Sequence, residues 1–153
     1  VGSSGRLRQS LRSSMRAAPV LMLYDADCGF CTKSAHRTHL LGLRVEIAAL
    51  QDTDLVALGV EPARSLAEVP VVDESGRIYW GHRAIARALQ TGPLPVRLVG
   101  SALDSRAVSP VAARAYRWLA ANRGRLPGSD GTCGLDKPEN VSSLDLERWR
   151  GSA

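Results

Sequence analysis

The run Val20-Leu21-Met22-Leu23-Tyr24, followed at once by Asp25-Ala26-Asp27-Cys28-Gly29-Phe30-Cys31, constrains this chain more than any other stretch. An unbroken apolar segment of that length reads as a buried strand, and the polar turn after it ends the strand. Beyond the turn the apolar residues recur at helical steps, so both cysteines fall at the start of a helix. A strand that delivers Cys-x-x-Cys to a helix start brings two sulfurs within bonding reach. It also sets the first sulfur against unpaired backbone N–H groups, which favour a negative thiolate. Such an arrangement is suited to disulfide exchange. Cys28 is the expected attacking thiol, and Cys31, one turn in and more buried, is the thiol that resolves the mixed disulfide.

The rest of the pattern places this unit in an α/β domain. Helical spacing continues through residues 29–43, with Phe30, Ser34, Ala35, Thr38 and Leu41 on one face and Gly42 as a stop. Residues 44–50 alternate Val45 and Ile47 with Arg44 and Glu46, the period of a half-buried strand. Residues 51–59 are expected as a short helix closed by Gly59 and Pro62. Residues 68–73 form a β-branched run interrupted by Pro70, which cannot donate to a ladder and belongs at an edge, a strand start or a special turn. Asp73-Glu74-Ser75-Gly76 turns the chain, and Arg77-Ile78-Tyr79-Trp80 returns as a hairpin. A helix over residues 82–90 follows, with Ile85, Ala86 and Leu89 on one face.

The resulting order, β-α-β-α-β-β-α, predicts a parallel strand pair with an antiparallel addition and matches a thioredoxin-like fold. A C-terminal helical extension comes next, over residues 96–104 and then 110–122. In the second helix Val111, Ala115, Trp118 and Leu119 make a stripe expected to pack on the sheet or hairpin. A weaker helical piece lies near residues 144–149. Three parts are expected: a flexible Arg/Ser/Gly-rich leader over 1–19, the thioredoxin-like domain with its helices over 20–128, and a loop-like tail over 129–153 that carries Cys133.

Charge narrows the function classes. The chain carries a formal net charge of +5, but Arg6, Arg8, Arg12 and Arg16 in the leader supply most of it, leaving about +1 for residues 20–153. That body lacks the clustered basic face that phosphate binding needs, so no nucleic-acid partner is expected. No apolar run approaches the roughly 18–20 residues of a membrane span. The leader has no apolar core of a secretory signal. The cytoplasm is therefore the expected compartment, where a Cys-x-x-Cys pair is more often redox-active or metal-binding than structural.

Asp25-x-x-Cys28-x-x-Cys31 after a hydrophobic strand resembles the DCC family of thiol-disulfide oxidoreductases, a family also classed as a domain of unknown function. The likeness covers residues 20–135. It takes in Val69-Pro70, Tyr79-x-Gly81-x-x-Ala84, Tyr116-x-Trp118-x-x-Ala121-Asn122-Arg123 and Cys133-x-Leu135. Gly29 and Ala26 depart from it, since the family often has a larger residue or proline at the first position and glycine at the second. The resemblance implies a thioredoxin-like scaffold in which Val69-Pro70 takes the place of a cis-proline beside the disulfide. Its preceding backbone would then pair with the substrate. Cys133 matches the family's C-terminal cysteine and reads either as a third redox thiol that reaches the active site or as a lone cysteine on a loop.

Several side chains carry alternative readings. Asp27 is expected to cap the helix, and Asp25 to serve in the turn or to move a proton at the resolving thiol. His36 and His39 lie too close to Cys31 in sequence for a zinc-finger layout and read, with Lys33 and Arg37, as a solvated basic face. Together these features predict a thiol-disulfide oxidoreductase with Cys28, Cys31, Asp25 and Pro70 at its centre and Val69 and Pro70 against the substrate. It needs no organic cofactor or metal. Its partners are a disulfide protein or low-molecular-weight thiol and a reductant that resets it. The competing readings are a non-catalytic thioredoxin-like module that binds peptides along Val69-Pro70, and a small metal-binding protein built on the same cysteines.

Overall fold

The computed structural model describes residues 19–127 and Trp149. At the centre lies β1 (Val20–Tyr24), parallel to β2 (Val45–Ala49) with Val20 opposite Val45 and Tyr24 opposite Ala49. On its other side β1 pairs antiparallel with β3 (Pro70–Asp73), and β4 (Ile78–Trp80) completes the sheet in the order β2-β1-β3-β4. Among the described residues five helices accompany the strands. They are α1 (Gly29–Arg37), α2 (Pro62–Ser65), α3 (Gly81–Leu89), α4 (Leu94–Asp104) and α5 (Ser109–Asn122). This mixed α/β architecture is compatible with a thioredoxin-like fold.

The alternation of β1 builds a core on both faces of the sheet, as period-two side chains require. Val20 and Met22 join Val45, Val71, Ala84 and Ala88 on the face covered by α3. Leu21 and Leu23 join Ala48, Leu58, Val60, Val72 and Trp149 on the other. Burial of each such Leu or Val contributes about 1.5–3 kcal/mol before entropy is counted. The hairpin between β3 and β4 is set by Asp73, whose Oδ1 accepts from the backbone N–H groups of Ser75 (2.9 Å) and Arg77 (3.0 Å), while Oδ2 accepts from the Tyr79 hydroxyl at 3.1 Å.

Four sequence expectations need correction. Residues 51–59 do not form a helix: a 3-10 turn spans Leu50–Asp52, and the one-turn α2 begins at Pro62. Proline at a first helical position starts a helix as readily as it ends one. Next, α1 is regular only to Arg37 and then loosens into turns. The chain closes at Gly42 (φ 67°), where Leu43 N–H reaches Thr38 C=O (3.1 Å) and Gly42 N–H reaches His39 C=O (3.0 Å). That pairing is a Schellman closure with glycine at its left-handed position.

The stripe on α5 is out of phase with the expectation. Val111 and Trp118 are 69% and 64% exposed, whereas Ala112, Ala113, Tyr116, Leu119 and Ala120 turn partly inward. The hydroxyl of Tyr116 finds a partner inside, so an aromatic with a polar tip took the place the tryptophan was assigned. Finally, no peptide bond among the described residues is cis, so Val69–Pro70 is trans. Pro70 simply opens β3 opposite Trp80, a position where the missing N–H is tolerated. The helical piece expected near residues 144–149 lies outside the described residues, apart from Trp149.

Candidate active site

Cys28 occupies the N-cap of α1 with extended backbone (φ −101°, ψ 106°), and its Sγ accepts the backbone N–H of Cys31 at 3.3 Å. The sulfur thus fills the capping position usually taken by Ser, Thr, Asp or Asn. Asp27, expected in that role, does not cap. Its carboxylate is drawn back to Gln51, whose Nε2 donates to Asp27 Oδ2 (3.2 Å) and to Asp25 Oδ1 (2.8 Å). Asp25 Oδ1 also accepts the Asp27 N–H at 3.0 Å, an Asx turn, and Gln51 Oε1 accepts the Ala26 N–H at 3.1 Å. One side chain from the end of β2 therefore holds the whole turn before Cys28. Composition gave no hint of Gln51, because its role depends on the parallel pairing of β1 and β2.

Both cysteines are free thiols and half-buried. Cys31 is pushed up to about 12, first by burial, then by its hydrogen bond to Cys28 and the charges of Cys28 and Asp25, against the opposing pull of Arg123. Cys31 therefore rests as a protonated thiol at neutral pH.

Behind Cys31 lies a cavity of about 310 Å³. Phe30, Cys31 and Ala35 of α1 form one wall, Met22 and Tyr24 of β1 another, and α3 and α5 close it with Ile85, Leu89, Tyr116 and Leu119. Asp25, Val69 and Arg123 also line it. Of the residues expected at the site, Cys31, Asp25 and Val69 thus share one cavity, and Cys28 joins them through its bond to Cys31. The backbone of Val69 is engaged on both sides: its N–H donates to the Tyr116 hydroxyl (2.8 Å), and its C=O accepts from Gly81 N–H (3.1 Å). Arg123 is held by the Leu66 carbonyl at 2.8 Å. Tyr116 and Arg123 stand in the string Tyr116-x-Trp118-x-x-Ala121-Asn122-Arg123, where the sequence signal lay unassigned.

His39 and Arg37 are exposed, as expected of a solvated face, but His36 is not part of it. Its ring packs edge-on against Tyr24, centroids 6.1 Å apart, and its buried Nε2 has no hydrogen-bond partner among the described residues. Among the described residues no three His, Cys, Asp or Glu side chains gather as a metal site would require. Cys133 lies outside the described residues.

A family model, DCC1-like thiol-disulfide oxidoreductase, matches residues 22–129, well over half of the chain and the whole of the region just described. The chain belongs to this DCC1-like family. No curated protein and no solved structure matches it. The DCC1-like match spans both cysteines, the Val69-Pro70 strand start and the Tyr116–Arg123 string, and it suggests thiol or disulfide substrates. No helix among the described residues is long and apolar enough to cross a membrane.

Proposed function

We propose that the chain is a thiol-disulfide oxidoreductase acting through Cys28 and Cys31. The observation that carries this reading is the hydrogen bond from Cys31 N–H to Cys28 Sγ at the start of α1, beside a Cys31 thiol held protonated. A backbone N–H aimed at the outer sulfur, at the positive end of a helix, favours negative charge there. Cys28 thiolate attacks a substrate disulfide, forming a mixed disulfide and releasing the first thiolate. Cys31 then gives up its proton and attacks the Cys28 sulfur, closing the Cys28–Cys31 disulfide and releasing the second thiol.

Asp25, whose charge bears on Cys31 and whose side chain lines the same cavity, takes that proton. Arg123 acts in the opposite sense and stabilises the Cys31 thiolate once formed. Val69 contributes an apolar wall to the substrate site, since it lines the cavity with both backbone groups engaged within the chain, while Pro70 is fully buried at the start of β3. The substrate is a disulfide protein or a low-molecular-weight disulfide, a cellular thiol resets the pair, and the cytoplasm is the compartment that keeps it reduced.

Mixed-disulfide trapping tests this. Cys31→Ser should accumulate a covalent adduct on Cys28 when mixed with a disulfide substrate, and Cys28→Ser should accumulate none on Cys31. Adducts forming equally on either remaining cysteine would show two independent thiols and defeat the proposal.

A further inference from the structure

The cavity behind Cys31 is open on one side among the described residues. An apolar cavity of roughly 150 Å³ is enough to bind benzene. This one, at about 310 Å³, falls at the lower end of the range of small-molecule sites. Its surface is mostly hydrocarbon, from Met22, Phe30, Leu41, Leu43, Ile85 and Leu89.

The polar groups around it are nearly all committed. Thr38 Oγ1 donates to Ala35 C=O (2.6 Å), Ser65 Oγ donates to Pro62 C=O (2.7 Å), and Tyr116 accepts from Val69. Asp25, the one acid in the wall among the described residues, is held by Gln51. Arg123 is the one lining cation, and a single bond to Leu66 leaves most of its five N–H donors unused among the described residues. An apolar chamber with one underused guanidinium is complementary to a hydrocarbon chain that ends in an anion.

We propose that this cavity binds a medium-length aliphatic carboxylate, its chain against the apolar walls and its carboxylate on Arg123. Resting on the exchange reading, this identifies the substrate as a low-molecular-weight disulfide whose arm is such a chain. The step balances without further reagents. The reduced pair, Cys28–S⁻ and Cys31–SH, meets R–S–S–R. Cys28 bonds to one sulfur and the other leaves as R–S⁻. Cys31 then loses its proton and closes on Cys28, and the second R–S⁻ departs; the Cys31 proton makes one thiolate a thiol, and the other takes its proton from water. The protein loses two electrons and the substrate gains them.

The test is isothermal titration calorimetry of octanoate into the full reduced chain. Saturable binding at one site is expected, with butanoate and octylammonium each about tenfold weaker or more, because four methylenes or the charge match are lost. Arg123→Gln should weaken octanoate about tenfold and erase its advantage over octylammonium. Ala120→Leu and Ser34→Leu, which intrude on the cavity from α5 and α1, should each weaken octanoate while Arg123 is kept. No saturable binding, or equal binding of octanoate and octylammonium, overturns the cavity assignment whatever the exchange chemistry does.

The substrate assignment is tested separately. The disulfide of 8-mercaptooctanoate should oxidise the reduced pair about tenfold faster than that of 3-mercaptopropionate. Equal rates overturn the substrate class and leave exchange standing. Octanoate binding with no Cys28–Cys31 disulfide from either reagent overturns the exchange reading, and the substrate class with it, while the cavity assignment holds.

Discussion

The side-chain amide of Gln51 donates to Asp25 Oδ1 at 2.8 Å, tying the end of β2 to the turn that precedes Cys28. The same amide reaches Asp27 Oδ2 and the backbone N–H of Ala26, so one residue neutralises the crowding of two neighbouring carboxylates and fixes the approach to the N-cap. The site is exposed, which limits each hydrogen bond to about 0.5–1.5 kcal/mol. Gln51→Ala is expected to cost about 1 kcal/mol in urea unfolding, and Gln51→Glu more, because it adds a third carboxylate to the same turn. Equal stability of all three proteins would show that the turn holds without the clamp.

The elevated Cys31 thiol sets a pH dependence. An unfolded chain loses this proton near 9.0 and the folded one near 12. Between those values the unfolded state is deprotonated first, so the stabilisation is complete below pH 9 and declines as pH rises toward 12. Tyr24 and Tyr116, both raised from 10.0 chiefly by burial, act with the same sign. The reduced protein should therefore unfold at a lower urea concentration at about pH 10.5 than at about pH 8. Cys31→Ala should flatten that decline in part, leaving the share of the two tyrosines. An unchanged slope would mean that the Cys31 thiol ionises alike in both states.

Tyr116 joins α5 to the start of β3 through Val69 N–H, and its ring packs under Gly81. Tyr116→Phe leaves a half-buried N–H without its acceptor and should cost about 1–3 kcal/mol. Gly81 sits at φ 58°, and a Cβ there would come within 3.3 Å of the Tyr116 ring. Gly81→Ala is expected to cost about 1–2 kcal/mol from the left-handed backbone alone. The loss should shrink in the Tyr116→Ala background, which a double-mutant cycle reads directly.

Trp149 is 1% exposed and lies in one cluster with Leu21, Leu23 and Val72 on the face of the sheet opposite α3. Trp149→Ala should cost about 3–5 kcal/mol, as emptying a fully buried aromatic site does. A small loss in thermal or urea unfolding would show that this face of the sheet is stable without it.

Local signals made much of this architecture legible. The apolar run at β1, the alternation at β2 and the turn at Asp73–Gly76 each needed only near neighbours, and each element lies within a residue or two of its expected place. The cysteine pair announced itself for the same reason. What stayed hidden depends on contacts across the chain. Gln51 acquires its role only when β2 lies beside β1. Tyr116 and Arg123 matter because α5 packs against α3 and the 3-10 turn after it, Arg123–Arg125, meets α1, and a helix with apolar residues on two sides does not disclose which side faces in. Pro62, between two elements, reads in sequence equally as an end or a beginning, and only the chain after it decides.

The most direct measurement is redox equilibration of the full chain in graded thiol/disulfide buffers, quenched by alkylation and read by mass spectrometry. A reversible disulfide between Cys28 and Cys31, formed and lost in a single two-electron transition and absent in Cys28→Ser, is the predicted result. Independent alkylation of the two thiols at every buffer ratio, with no species in which both are protected together, would contradict the account.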